Sequence, residues 1–510
     1  MKYSFIRQCG YSTRHSAAII TFISFLAASV GAIADPTYED AHQRGGGLMD
    51  ELDRNEYFDN TEKLATYWEG EDRGAKMQMM VVGETRYLFQ DGRVLDVSDP
   101  MNPIELSRDQ YHGHQITLAY SESAGKWILM ASVQIRPYTT STYEGRPYTP
   151  GLRGIQIYDV SDPSNIVHIA DYSSDRGDPT RSVQEGSGTH RNYWDGGRYA
   201  YLDTQMDNSY SNTEQTRANG IQVIDMSDPW NPTFVDYWHV PGQHESENEL
   251  YQQFRWAGDG QTWSSFHGPF YVPERVEDGG QYAYSTWGSY GFKIHDVSDI
   301  DNVREVGKWE FDTKYFPSVD IPMHGVNVQF LDRDVVITSS ETRMPHCTQR
   351  WHDNYVFDVS DPTNPTVLAK LPIPKPPESA AYDDFCDKRG RHGVHNPQHH
   401  KAPGLADANI SPYAFFNAGV QFYDFSDPKN PEIVGYYIPA QHGDINDWAT
   451  YYRDTDAVFV EWDRNLVWVA TYNGLVLLST ELLGEPVLEP KAVEQWTMPS
   501  VNAGFSNFRP

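Results

Sequence analysis

One turn motif returns six times along this chain of 510 residues, and it restricts the fold more than any other feature. The copies read GRVLDVSDPMNP ending at Pro103, GIQIYDVSDPSN from Gly154, GIQVIDMSDPWNP from Gly220, GFKIHDVSDIDN from Gly291, NYVFDVSDPTNP from Asn354 and GVQFYDFSDPKNP from Gly419. A degenerate seventh, NGLVLLSTELLG, starts at Asn473 and carries Ser479 where the others carry Asp. The turn aspartates Asp96, Asp159, Asp225, Asp296, Asp358 and Asp424 stand 63, 66, 71, 62 and 66 residues apart. One motif per fixed period marks a repeat architecture. Each copy alternates apolar and polar residues and then stops at Asp-x-Ser-Asp-Pro, the pattern of a strand ended by a turn. Two strand-like runs precede each copy and one follows. In the third unit these are HRNYW, RYAYLDT and TFVDYWHV, the first two joined by the hairpin signal Asp195-Gly196-Gly197. Four antiparallel strands repeated around an axis predict an all-β fold, a seven-bladed β-propeller with four-stranded antiparallel blades. A right-handed β-helix has much shorter repeats.

Through the pattern G-[IVF]-x-[IV]-x-D-V-S-D-P-x-N-P, over residues 75 to 485, the copies resemble the LVIVD-repeat family. The resemblance implies a propeller fold and export, and is nearly silent on activity. The motif falls between the third and fourth strands, so its aspartates are read as structural, with calcium in these turns as the alternative.

The chain is expected to divide into a signal peptide over 1–34, an N-terminal extension or cap over 35–74 and a single propeller domain over 75–510. Lys2, Arg7 and Arg14 precede the apolar stretch Ala17 to Ile33, and Ala32-Ile33-Ala34 is a small-residue cleavage pattern. No membrane span is expected after cleavage, and the destination is the periplasm or the medium. Cleavage takes three cations from a formal charge of −31 and leaves −34. So acidic a surface argues against nucleic acid as a partner. Of the cysteines, Cys9 leaves with the signal. Cys347 and Cys386 remain, and an oxidising compartment favours a disulfide between them. Both lie in long loops, Ser340 to Asn354 and Pro374 to Gly393. Long connections also run Gln134 to Arg153, Gln205 to Asn219 and Pro241 to Ser265, and all five belong to one face. That top face is the candidate site. In the segment before the first blade, Met49 to Tyr57 reads as helix-like.

The histidines carry the functional signal. His190, His267, His324 and His395 each begin the first strand of a unit, 35, 29, 34 and 29 residues before the next turn aspartate. His114 does so in the second unit, with His112 beside it. Inner strands line the propeller axis, so five imidazoles converge near its mouth. Imidazole is the commonest metal ligand, and His114, His190, His267, His324 and His395 are the expected metal set. The cofactor is expected to be a transition metal: iron, copper, manganese or zinc. His112, His392 and His442 are the candidates for proton transfer. Asp320, Asp444 and Asp447 are placed to orient a ligating imidazole. His168, His295 and His352 fall on outer or loop positions and are read as structural. In outline the arrangement is similar to propeller enzymes that hold a metal on axial histidines. The expected function is a metal-dependent oxidoreductase or lyase acting on a small-molecule substrate. The alternatives are histidines inherited by repeat duplication as packing, and a non-catalytic propeller whose top loops bind a surface ligand, protein or glycan.

Overall fold

The computed structural model describes residues 47–484, except 71–75, 91, 112–114, 135–141, 144–145, 148–150, 181–183, 211–218, 248, 251–264, 312–320, 350, 397–408 and 446–453. The expected signal segment lies outside the described residues, as do His112, His114, Asp320 and Asp447 and most of the loops Gln134–Arg153 and Pro241–Ser265. Among the described residues, no helix is long and apolar enough to cross a membrane.

Seven antiparallel sheets follow one another as propeller blades. Blade 1 runs outward through Gln78–Val82, Thr85–Gln90, Arg93–Asp96 and Ile104–Arg108. Blade 2 comprises Ile116–Ser121, Lys126–Val133, Gly154–Asp159 and Val167–Ser173, and blade 3 Gly188–Thr189, Tyr199–Gln205, Gly220–Asp225 and Thr233–Trp238. In blade 4 the innermost strand is reduced to a bridge from Tyr271 to Tyr284, ahead of Tyr282–Thr286, Phe292–Asp296 and Arg304–Trp309. Blade 5 comprises Ile321–Asn327, Val335–Glu341, Tyr355–Asp358 and Thr366–Lys370.

The last two blades recruit the start of the chain. In blade 6, His395 and Asn396 exchange backbone hydrogen bonds with Ala414 at the inner edge. Ile410–Ala414, Val420–Asp424 and Glu432–Ile438 follow, and Tyr57–Asp59 adds an outermost strand. Blade 7 takes Thr455–Glu461, Leu466–Thr471 and Gly474–Ser479 from the end of the chain, and its fourth strand is Glu62–Tyr67. The degenerate seventh motif is therefore a third strand whose partner comes from within the segment 35–74. The helix-like stretch expected at Met49 to Tyr57 is instead irregular chain leading into Tyr57–Asp59. Blades 7 and 1 are then joined by charge: Arg86 Nη1 donates to Glu461 Oε2 at 2.9 Å, and Arg86 also pairs with Asp463.

The repeated motif owes its shape to its own side chains. The first aspartate of the turn accepts from the backbone N–H two residues on, as Asp96 does from Ser98 at 2.9 Å and Asp424 from Ser426 at 2.7 Å. The second repeats the device, as Asp99 does with Met101 and Asp427 with Lys429, both at 3.0 Å. Two successive Asx turns end the third strand and aim the chain back as the fourth. A register shift just before the aspartate recurs in blades 1 to 6, between Val94 and Leu95 in the first and Phe422 and Tyr423 in the sixth. Such bulges increase local twist. These turns lie at the end of each blade away from the histidines, and their aspartates accept the turns' own backbone N–H groups.

Removal of residues 35–70 is expected to strip blade 7 of its outer strand and expose the edge of Gly474–Ser479. The thermal midpoint should fall by at least about 5 °C, and a peptide spanning Tyr57–Tyr67 added in trans should restore part of the loss. An unchanged midpoint in the truncated protein would contradict this closure.

Candidate metal centre

The inner edges of blades 3 to 6 carry the histidines to the axis in order. His190 follows Gly188–Thr189 directly, and its N–H donates to Asp203 O at 3.0 Å. The His267 N–H donates to Thr286 O at 3.1 Å. His324 sits where Ile321–Asn327 bulges, since Ile321 pairs with Glu341 but the next paired residue is Gly325, opposite Ser339. Three residues thus face one, and the bulge re-aims the His324 ring. His395 is held through the backbone of Ala414. Gly268 lets blades 4 and 5 approach: with φ at +95°, a Cβ there would lie 2.4 Å from His324 O.

The four rings form a continuous row. Ring centroids lie 4.8 Å apart from His190 to His267, 4.3 Å from His267 to His324 and 5.3 Å from His324 to His395. His267 and His324 in the middle are buried, whereas His190 and His395 at the ends are partly exposed. Glu341, the last residue of Val335–Glu341, meets the centre of the row. Its Oε2 lies 3.4 Å from His324 Nε2. One donor atom each from His267, His324 and Glu341 all fall within 4.8 Å of one another.

Two arginines frame this group. Arg391 pairs with Glu341 Oε1 and donates from Nε to Thr342 O, while its guanidinium lies 3.7 Å from the Phe416 ring centroid. Arg191, adjacent to His190 in blade 3, reaches across the axis to blade 6. There its Nη2 donates to Asn396 Oδ1 at 2.7 Å and lies 3.5 Å from His395 Nε2. His395 Nδ1 lies 2.9 Å from Asp456 Oδ1, which fixes the ring orientation.

Charge and burial act together on these groups. Burial pushes the Glu341 carboxyl up, but Arg391, then His395, His267 and Arg343, outweigh it and hold the pKa at about 2. The group is a carboxylate at any physiological pH. Burial, and then Arg191 and the neighbouring imidazoles, push His324 well below the ordinary histidine value, so it is neutral. Neither of its ring nitrogens makes a hydrogen bond to a described residue, although the ring is wholly buried. Neutral imidazole and ionised carboxylate are the forms that ligate metals.

The structure gathers His190, His267, His324 and His395, and joins Glu341 to the middle pair. His392 packs its ring against Phe385 and Trp351, with centroids 5.1 and 5.5 Å away, outside the row. His442 lies beside the N-terminal segment, where burial and then Arg54 push its pKa down. Asp444 is in the same stretch. Of the histidines read as structural, His295 is buried against Trp238 and Phe270, His352 is buried, and exposed His168 pairs with Asp171. Cys347 and Cys386 are bonded, with Cα atoms 5.3 Å apart. The disulfide ties the loop that follows Glu341 to the loop that leads into Arg391.

Glu341, Arg191, Arg391 and Asp456 were not expected from the sequence. Arg191 and Arg391 each directly precede or follow a histidine already singled out, His190 and His392, and that adjacency was the available signal. Glu341 ends a second strand, and second-strand ends lie on the same face as first-strand starts.

No protein-family model matches this sequence, and no curated protein is found as a relative. Among solved structures the chain is similar to Chaetomium thermophilum Raptor, at 9% identity and a TM-score of 0.44, over 84% of this chain and 30% of Raptor. It is also similar to a streptogramin B lyase, at 8% identity and a TM-score of 0.42, over 84% of this chain and 100% of the lyase. A third is the Cps50 (Swd1) β-propeller domain of Myceliophteria thermophila, at 10% identity and 0.43, over 82% and 99%. These likenesses carry nothing about the site.

Acid should destabilise the fold through this row. His324 is held below its unfolded value, so between pH 6.5 and 5 the unfolded chain binds a proton that the folded protein refuses, and stability falls as pH falls. Glu341 adds a loss below its unfolded range near pH 4.5, extending down towards its folded value of about 2. In chelator-treated protein, His324→Gln should make the stability slope between pH 6.5 and 5 shallower by up to about 1.4 kcal/mol per pH unit. Denaturant titrations at several pH values measure it; equal slopes in both proteins would contradict the assignment.

Proposed function

We propose that this protein is an exported metal-dependent enzyme, an oxidoreductase or lyase, with a transition-metal ion held by His267, His324 and Glu341. The observation that carries the reading is His324. It is wholly buried, both ring nitrogens lack hydrogen bonds to the described residues, and a carboxylate held ionised stands 3.4 Å away. Buried polar atoms nearly always have partners, and a bound ion would be the partner of this one.

Two imidazoles and one carboxylate suit iron, zinc or manganese, with positions left open for substrate. An ion bound there would polarise a substrate oxygen or supply hydroxide at neutral pH. The protein groups around it have separate tasks. Arg391 binds the second oxygen of Glu341 and so orients the first towards the histidines. His395, with Nδ1 on Asp456, presents Nε2 towards the axis and is better placed for proton transfer than His392 or His442. The disulfide and the LVIVD-like repeats support export.

Elemental analysis of the mature protein is expected to give close to one equivalent of transition metal. His267→Ala and Glu341→Gln should each lower metal affinity at least about tenfold, whereas exposed His168→Ala should leave it unchanged. A metal-free protein that remains so after incubation with iron, zinc and manganese would overturn the proposal. That result would favour a propeller that binds a partner through its top loops.

A further inference from the structure

Arg191 is a buried cation whose charge nothing in the described protein matches. It is 2% exposed. Among the described residues its side chain makes polar contacts only from Nη2, to Asn396 Oδ1 and His395 Nε2, and neither is a carboxylate. Nε is buried and donates to none of the described residues. No carboxylate of the described residues forms an ion pair with it. Glu341, Asp456 and Asp203 act on the guanidinium only through space, although Asp203 Oδ2 accepts from the Arg191 backbone N–H at 3.3 Å. Arg391, the other arginine of the site, differs on each count, since it is paired with Glu341 and bonded to Thr342 O. A guanidinium stays protonated under all ordinary conditions. Burying one without a counter-ion is strongly unfavourable, so an arginine at the axis with no ion-pair partner among the described residues calls for an anion.

Position narrows the anion to something that enters from outside. Arg191 spans from blade 3 to blade 6 beside the histidine row, and both ends of that row are partly exposed. With the proposed ion in place, the centre would hold that ion, Arg191 and Arg391 against few carboxylates. The excess positive charge favours one further negative group. A guanidinium edge recognises planar or tetrahedral oxyanions by paired N–H donation.

We propose that Arg191 binds an oxyanion of the substrate, a carboxylate or a phosphate, next to the His267–His324–Glu341 centre. The placement beside a metal rests on the function proposed above; the oxyanion site itself rests on Arg191 alone.

The test uses mature metal-replete protein titrated calorimetrically with acetate, oxalate and inorganic phosphate, in parallel with Arg191→Met and Arg191→Lys and with metal content measured on every sample. The expected result is saturable binding to the native protein, at least about tenfold weaker in Arg191→Met. Arg191→Lys should be intermediate, because it keeps the charge and loses the fork, and metal content should be retained throughout. Preference for acetate or oxalate assigns a carboxylate substrate, and preference for phosphate a phosphorylated one. Anion binding lost with Arg191→Met in a protein that never holds metal would sustain the oxyanion site and overturn the metal reading. Three outcomes overturn the oxyanion site: no binding of any of the anions to native protein, equal affinity in Arg191→Met, or loss of metal or of folding in both variants.

Discussion

A propeller has no hydrophobic core that a single blade could form alone, so everything at the axis depends on the ring being closed. Here closure is made by the pairing of Glu62–Tyr67 with Gly474–Ser479, which puts the beginning of the chain against its end. Tyr57–Asp59 repeats the arrangement on blade 6. Arg86, from blade 1, then meets Glu461 and Asp463 of blade 7 at the seam. With the ring shut, the inner edges of blades 3, 4, 5 and 6 converge at fixed spacing, and their histidines have no freedom to spread. Ring centroids 4.3 to 5.3 Å apart follow from that geometry.

Crowding imidazoles at an axis disfavours protonation, and at His324 burial and the neighbouring positive charges act in that same direction. Burial and then Arg191 keep His324 from protonating. Arg391 keeps Glu341 ionised and turns one of its oxygens away from the row, leaving the other for it. Asp456 fixes His395 from the far side. The site is built from groups of opposite kinds, carboxylate and neutral nitrogen, with a buried cation beside them that forms no ion pair among the described residues. That combination has a use if an ion and an anionic substrate share the space. It is poor packing otherwise, because buried groups without partners destabilise a fold.

The blades were legible in the sequence because their signal is local. Alternation, the Asx-forming aspartates and the terminating proline are all written within a dozen residues of Asp96, Asp159 or Asp424, and the structure realises each as a strand and a double turn. The histidine row was legible for a related reason: His190, His267, His324 and His395 each begin the first strand of a unit, and first-strand starts share one end of the propeller. What the sequence hid was non-local. Glu341 reaches His324 only because a three-residue bulge in Ile321–Asn327 turns that ring towards the end of the next strand, and no periodicity encodes such a bulge. Arg191 meets Asn396 across the axis, 205 positions along the chain, a contact that exists only once the ring is closed. The closing strand was missed as well, since Glu62–Tyr67 carries no repeat motif and its partner Gly474–Ser479 belongs to the degenerate copy.

The central claim is that an ion belongs between His267, His324 and Glu341. Anomalous diffraction from crystals of the mature protein, collected on either side of the absorption edges of iron, zinc and manganese, addresses it directly. One strong anomalous peak is expected within bonding distance of a nitrogen of each histidine and an oxygen of Glu341. A difference map with no anomalous peak at the axis after soaking in those metals, and His324 bonded instead to ordered water, would contradict it.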